Sequence, residues 1–369
     1  MKSSWVEIDL DGLESNLRAL RSALSAGAEA ILVVKSDAYG HGLVPVSGRA
    51  WRCGVRWFAV AHLNSALRLR EALPEAGILV LSPIEPGDVR VAAQQGITPI
   101  VVDGAHAARL SEAGEAAGLR LPCHVKVDTG MGRLGFAWDS IARSIVTLRA
   151  AAGLQIDGML THLASAAPGN RGFAIEQVRR FRNCLAKCRA AGVQIPFSHV
   201  SNSGGFLCEP GWDFDAARVG ILAYGYGAKG NVRVLTEPFL HWKATVVQVK
   251  HVAAGFPVGY DSTYFAPCPT QIATVNVGYA DGYPRVLSNK GEVLIRGHRR
   301  RIAGRVTMNL ITVDAGPRGD VCEGDEVVLL GRQGTASIGA DELAAGCHTI
   351  SYEILTGISP LLERRVMRE

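Results

Sequence analysis

The residues of this chain best placed for covalent chemistry begin at Lys35. It ends the apolar run Ala30-Ile-Leu-Val-Val34 and is followed by Tyr39, Gly40 and Gly42. The run reads as a strand buried on both faces. Lysine is almost never fully buried without a partner. A lysine at the exit of such a strand either reaches solvent along its methylene stem or serves a site. In a site, burial leaves a neutral amine that attacks carbonyls, and an aldehyde held as an imine is the carbonyl it fits. Spacing alone leaves both readings open.

Other polar residues stand at the ends of apolar runs: Lys126 with Arg133, His162, His199 with Asn202 and Ser203, and Arg218. Each has an ordinary explanation by itself. A histidine at a strand end is usually a satisfied core residue, Ser203 reads as a helix cap, and Arg133 sits in a glycine-rich turn open to solvent. So many on one face of a sheet exceed what packing requires. A guanidinium at Arg133 suits a small carboxylate. Gly220 permits close backbone approach, and consecutive amides there, with the Ser203 hydroxyl, suit a phosphate. Gly130, Gly132 and Gly135 also satisfy the dinucleotide pattern G-x-G-x-x-G, with Asp157 downstream. That pattern normally follows the first strand of its unit, and here several units precede it, so the dinucleotide reading is set aside. Tyr279 and Asp281 lie in the glycine-flanked stretch Val277-Gly-Tyr-Ala-Asp-Gly-Tyr-Pro-Arg285. This is either a hairpin turn or the seat of a tyrosine base, whose pKa nearby cations would have to lower.

The elements that must hold these residues alternate regularly. Apolar runs near Ile31–Val34, Trp57–Val60, Ile78–Leu81, Ile97–Val101, Cys123–Val127, Ile156–Leu160, Ile195–Val200 and Ala216–Ile221 predict strands. Helical spacing appears over Asp11–Leu24, Ser65–Leu73 and Gln177–Ala191, the first capped at Leu10-Asp11. Eight strand–helix units match a (β/α)8 TIM-type barrel, with a doubly wound open sheet as the competitor. In the barrel, chemistry belongs at the carboxyl ends of the strands. The character changes near Lys229. Short alternating runs at Trp242–Val249, Gln271–Gly278, Gly291–Ile295, Arg301–Val306 and Glu326–Gly331 predict a mostly-β second domain, with helical pattern only at Ala340–Ala345 and Ser351–Leu355. The expected domains are residues 1–235, the barrel, and 236–369, the β domain.

Composition narrows the classes. At 369 residues, two domains are the natural expectation, and 48% hydrophobic residues build substantial cores. The net charge of +5 is dispersed, and its one dense cluster, His298-Arg-Arg-Arg301, reads as a solvated turn rather than a nucleic-acid contact. The acid-interrupted start lacks an apolar signal core, and no run reaches membrane-spanning length. The eight cysteines are scattered without a Cys-x-x-Cys pair, and Cys184 and Cys188 share a helix with no histidine pair at zinc spacing. A reduced cytoplasmic protein with no metal, no nucleic acid and no membrane association is expected.

The segments VVKSDAYGHG, VKVDTGMGRLG, THLASA, SNSGG, ARVGILAYG, VGYADGYPR, GRVTMN and ISYEILTG resemble, in order and over nearly the whole chain, the alanine racemases. These are barrel-fold (fold type III) pyridoxal-phosphate enzymes. The resemblance implies an isomerase that supplies D-alanine for cell-wall precursors by a two-base mechanism. Lys35 would hold pyridoxal 5'-phosphate and serve the D isomer, and Tyr279 would serve the L isomer from the other face. Arg218 would meet the pyridine nitrogen and, keeping its own proton, weaken the electron sink and suppress transamination. Tyr39, Ser203, Gly220, Ile221 and Tyr352 would hold the cofactor's phosphate, and Asn202 would also bind the cofactor. His162 would stack near the ring, and His199 would bond to Arg218. Arg133 and the Met308 amide would hold the substrate carboxylate. Lys126 matches a lysine carbamylated in many relatives. The resemblance also implies a homodimer in which Tyr279 and Met308 act on the partner's barrel.

Asn309, Gly259-Tyr-Asp-Ser-Thr263 and Ser359-Pro-Leu-Leu-Glu363 depart from the family pattern, which opens the question of serine or longer substrates. A broader racemase, another fold-type III enzyme such as a decarboxylase, and a non-catalytic pyridoxal-phosphate protein are the alternatives. An NAD dehydrogenase rests on the glycine triplet alone.

Overall fold

The protein is described here by a computed structural model covering residues 4–166, 171–227 and 233–367. It divides into two compact units. One comprises residues 13–38 and 43–237, the other residues 4–12, 39–42 and 238–367. The change of character read near Lys229 lies outside the described residues.

The chain opens with strand β1 (Ser4–Ile8) and helix α1 (Leu10–Ser22). In the first unit, β2 (Glu29–Val33), β3 (Trp57–Val60), β4 (Gly77–Val80), β5 (Ile97–Val101), β6 (Leu121–Asp128), β7 (Leu154–Leu160), β8 (Phe197–His199) and β9 (Ala216–Val219) pair in sequence order, all parallel. The ring closes where Arg218 of β9 faces Ile31 of β2. Closure explains the sequence pattern. A barrel strand is covered by helices outside and side chains inside, so Ile31, Leu32, Phe58, Val60, Ile78, Leu79 and Ile100 are all buried. The open-sheet alternative is excluded by the pairing of β9 with β2.

Five of the covering helices are α2 (Leu43–Arg52), α3 (Leu63–Ala72), α4 (Val89–Gln94), α5 (Gly104–Ala116) and α6 (Ile141–Ala150). The longest is α7 (Gly172–Ala190), which buries Val178, Phe181, Cys184 and Cys188 on one stripe. The Cys184 and Cys188 thiols are pushed up to about 12 and about 11 by burial and stay inert. At α1 the predicted cap moves by two residues. The Asp9 carboxylate, not Asp11, accepts the amides of Asp11 and Gly12 at 3.0 and 3.1 Å.

In the second unit, β10 (Leu240–Val252), β11 (Thr270–Val275), β12 (Glu292–Ile295), β13 (His298–Ile302), β14 (Ile311–Gly316) and β15 (Glu326–Gln333) form an antiparallel ring, closed by β15 on β10. Strand β16 (Ala336–Ile338) extends β15, and helices α8 (Ala340–Cys347) and α9 (Ser351–Gly357) follow. Strand β1 adds antiparallel to β10 and takes β17 (Glu363–Val366) in parallel on its other edge. The basic cluster is not a solvated turn. It is strand β13, pinned by ion pairs from Arg299 to Glu292 and Glu342 and from Arg300 to Asp320. One acid on the neighbouring strand, Glu292, and two from outside the sheet, Glu342 and Asp320, let consecutive arginines lie in a strand. The strand read at Arg301–Val306 accordingly lies earlier, at His298–Ile302.

Phe181 is fully buried and meets the Phe214 ring edge-on, centroids 5.4 Å apart. Phe181→Ala is expected to lower stability by about 3–5 kcal/mol, read from the midpoint of urea unfolding.

Candidate active site

Every barrel-borne residue singled out above falls at or after the carboxyl end of a strand. Lys35 follows β2, and the backbone there does something its residue types do not announce. Ser36, Asp37, Ala38 and Tyr39 have φ of 52°, 53°, 55° and 53°, a full left-handed turn of non-glycine residues, and Gly40 and Gly42 continue at positive φ. Each such residue is disfavoured by roughly 1–2 kcal/mol. The turn is held where it starts by the Ala38 amide on the Val34 carbonyl at 3.0 Å, and by the Asp37 carboxylate, which accepts the Leu43 amide at 3.0 Å. Gly40 is obligatory, because a Cβ there would lie 2.5 Å from the Leu355 carbonyl oxygen. Strain persists where the surroundings over-determine it, and such places cluster at functional sites. Burial and the Arg133 guanidinium both lower the pKa of the Lys35 amine.

Arg218, on β9, is almost wholly buried. Its Nη1 donates to His199 Nδ1 at 2.7 Å and to the His199 carbonyl at 2.9 Å. Its Nη2 donates to the carbonyls of Thr161 at 2.6 Å and Val200 at 2.9 Å. All four Nη hydrogens are thereby engaged, and Nε has no partner among the described residues. Desolvation lowers the guanidinium to about 9, and it stays a cation at neutral pH. Burial, reinforced by the Arg218 charge, holds His162 down at about 2 and His199 well below its ordinary value, so both rings are neutral. Burial first, then Arg218 and Arg133, brings Lys126 to about 7.

The glycine triplet is a device built around Asp128. Its carboxylate accepts the amides of Gly130, Met131, Gly132 and Arg133 at 2.7–3.2 Å. A dinucleotide pyrophosphate would need those amides, and they are already consumed. The turn instead presents Arg133, which is exposed. Gly135 fits because a Cβ would lie 2.7 Å from the Asp128 amide nitrogen.

Asn202, not Ser203, is the cap of the helix at Ser203–Cys208: its Oδ1 accepts the Gly205 amide at 3.0 Å. Its Nδ2 donates to the Leu163 carbonyl at 3.1 Å and lies 3.4 Å from His162 Nε2, which orients that ring. Freed of capping, Ser203 Oγ accepts the amides of Gly220 at 3.0 Å and Leu222 at 3.4 Å. With its lone pairs taken, the hydroxyl has its own proton to give to an anion. Ile221 opens the short turn Ile221–Tyr224 between those two amides.

The remaining predicted residues belong to the second unit. The rings of Tyr39 and Tyr352 meet edge-on, centroids 5.9 Å apart. Burial raises the pKa of both phenols. Tyr279 is in no simple hairpin. Its amide and that of Ala280 donate to the Thr307 and Met308 carbonyls at 3.0 and 2.9 Å, which locks Tyr279 beside Met308. A Cβ on Gly278 would lie 2.3 Å from the Met308 oxygen, so only glycine permits the clamp. Asp281 closes the turn on the Gly278 amide at 2.8 Å. The Tyr279 and Met308 side chains are 43% and 56% exposed, and neither has a hydrogen-bond partner among the described residues.

Models of the alanine racemase N-terminal and C-terminal domains match residues 8–228 and 239–366. The chain belongs to the alanine racemase family. It is 40% identical over 360 residues to a curated alanine racemase of Syntrophobacter fumaroxidans, covering 97% of this chain and 96% of that one. Among solved structures it is similar to the alanine racemase of Bacillus anthracis with bound L-Ala-P (TM-score 0.92, 34% identity, 100% and 96% of the chains covered). It is also similar to that of Bartonella henselae with covalently bound pyridoxal phosphate (TM-score 0.89, 29% identity, 100% of both chains).

Sequence reasoning passed over His124, Thr161 and Gln177. Gln177 is fully buried in α7; its Oε1 accepts the Ala164 amide at 2.8 Å and its Nε2 donates to the His162 carbonyl at 3.1 Å. Thr161 was legible only as part of its motif. Gln177 carries no local signal beyond a polar residue on an apolar stripe.

Asp128→Ala strands four amides and is expected to destabilise the protein by about 1–3 kcal/mol, measured by urea unfolding. Lys126 makes stability depend on pH with a definite sign. Its amine is held at about 7 when folded and near 10.4 when unfolded. The folded state therefore binds fewer protons between these values, and stability rises with pH. In carbonate-free buffer, the native protein should gain stability relative to Lys126→Met between about pH 7 and 10.

Proposed function

We propose that the protein interconverts L- and D-alanine with pyridoxal phosphate, using Lys35 and Tyr279 as the two proton carriers. The observation that carries this is the Lys35 amine. It stands at the end of a barrel strand, has its pKa lowered by burial and Arg133, and is anchored by a strained turn. The barrel residues fit the cofactor on their own chemistry. Arg218 Nε is the one guanidinium N–H left to meet a ring nitrogen. The Ser203 hydroxyl, with Gly220 and Ile221 beside it, suits a phosphate, and the family resemblance adds the phenols of Tyr39 and Tyr352. The bound cofactor supplies an electron sink that acidifies the substrate's α-proton.

The chain's own groups do the rest. Lys35 Nζ would hold the cofactor and would take the α-proton of D-alanine or return one to form it. Tyr279 Oη does the same for L-alanine on the opposite face. Arg218 keeps its proton and so does not protonate the ring nitrogen, which limits the charge drawn off the α-carbon and disfavours transamination. Arg133 and the Met308 amide hold the substrate carboxylate. We read Lys126 as a carbamate: a buried amine near neutral pKa adds carbon dioxide with release of a proton, and the new carboxylate would sit in the field of Arg133 and Arg218.

The proposal includes a homodimer, supported by Tyr279 and Met308, whose backbones are clamped together while their side chains are exposed and have no hydrogen-bond partner among the described residues. In the dimer they serve the partner's barrel. We place the protein in the cytoplasm, supplying D-alanine for cell-wall precursors.

Borohydride treatment of the purified protein should bleach a visible band and fix the label at Lys35; a label at another lysine sinks the assignment. Tyr279→Phe should abolish deuterium exchange from L-alanine by roughly 100- to 10,000-fold while D-alanine still exchanges through Lys35. Activity per chain should fall on dilution in step with dissociation; a fully active monomer refutes the shared site.

A further inference from the structure

The hydrogen bonds that begin at Arg218 do not end at His199. His199 Nε2 lies 2.9 Å from His124 Nδ1, and both rings are fully buried. We propose that His124 is a positioning residue for Arg218, acting through His199 as the terminal acceptor of a one-way relay from guanidinium to imidazole to imidazole. The proposal rests on the reading that Arg218 faces the cofactor ring.

The direction of the relay follows from the inventory of protons. A guanidinium has no acceptor atom, so His199 Nδ1, 2.7 Å from Arg218 Nη1, must be bare. Burial and the Arg218 charge keep His199 neutral, so its single proton sits on Nε2 and points at His124 Nδ1. His124, likewise neutral at about 3 through burial and Arg218, accepts there and carries its own proton on Nε2. That last N–H is buried without a partner among the described residues. A Cβ on Gly158 would lie 2.6 Å from it, and the Trp57 and Phe197 rings stand 6.2 and 5.9 Å away, centroid to centroid. An apolar side chain would fill this pocket without leaving a buried donor unsatisfied. What only an acceptor at this place achieves is to fix the His199 tautomer and ring plane, so that Nδ1 faces the guanidinium and binds it more strongly. That holds Nη1, and with it the direction of Nε.

Two substitutions separate this from packing. His124→Asn keeps an acceptor near the Nδ1 position and His124→Leu removes it. Histidine side-chain nitrogen NMR on the protein, with and without pyridoxal phosphate, should show His199 protonated at Nε2 in the native protein and in His124→Asn, and a disturbed His199 signal in His124→Leu. His124→Leu should bind pyridoxal phosphate about tenfold more weakly and shift its visible band, with His124→Asn restoring both. The proposal is overturned if His199 in the native protein carries its proton on Nδ1, a result that needs no variant to fold. It is equally overturned if His124→Leu leaves the His199 signal, the band and the affinity unchanged, or if Asn and Leu weaken binding alike. The tautomer is read without cofactor, so failure of the cofactor assignment, tested by borohydride at Lys35, remains a separate result.

Discussion

A guanidinium is buried in this barrel with no carboxylate paired to it among the described residues, and its charge bears on much of the site's chemistry. Arg218 is held by three carbonyls and a neutral imidazole. Neutral acceptors satisfy its hydrogen bonds without cancelling its field. The field then acts in a low-dielectric interior. Burial first, and that field second, keep His199, His162 and His124 neutral and bring the Lys126 amine toward neutrality. With Arg133 and Lys35 the site carries an excess of positive charge. A dianionic phosphate and a substrate carboxylate are the natural complement, so the electrostatics and the ligand class are one statement.

The second constraint is backbone strain used for placement. Four consecutive non-glycine residues after Lys35 adopt the left-handed conformation. Two local hydrogen bonds hold the turn where it starts, and longer-range contacts complete it. Gly40 lies against the Leu355 carbonyl, and the Arg364 guanidinium caps the Gly40 oxygen at 2.8 Å. Tyr279 is placed by a related device, a turn bonded backbone-to-backbone to Thr307 and Met308 and possible only because Gly278 has no side chain. In both places a glycine beside the functional residue is the price of close backbone contact.

These devices mark the border of what residue types and spacing disclose. All eight barrel strands were legible, because burial on both faces forces continuous apolar runs. Trp57–Val60 and Ile97–Val101 fall as read. Strands β1, β14, β16 and β17 were not: Glu363-Arg-Arg-Val366 is a largely exposed edge strand, β14 alternates buried and half-buried, and in β1 polar Ser4 and Glu7 break the apolar run. The arginines of β13 read as a turn because the acids that pair with them, Glu342 and Asp320, are remote in sequence. The chemical groups at strand ends were legible as types. Their partners were not: Ser203 looked like a cap because the true cap, Asn202, precedes it, and His124, inside the apolar run Cys123–Val127, was passed over because its contact with His199 is 75 residues away in sequence.

The two glycine-rich turns make the same point in chemical form. Each gathers backbone amides, and spacing alone does not tell them apart. After β6 the Asp128 carboxylate takes four amides and leaves no donor for a phosphate. After β9 two amides are taken by a hydroxyl, Ser203 Oγ, which passes the donor on through its own proton. A carboxylate ends such a chain of donors because it has no hydrogen to give, and a hydroxyl extends it. The first turn therefore presents Arg133, and the second keeps a donor to offer. The dinucleotide pattern fails here on the identity of one acceptor, five residues before Arg133 and invisible to a rule that counts only glycines.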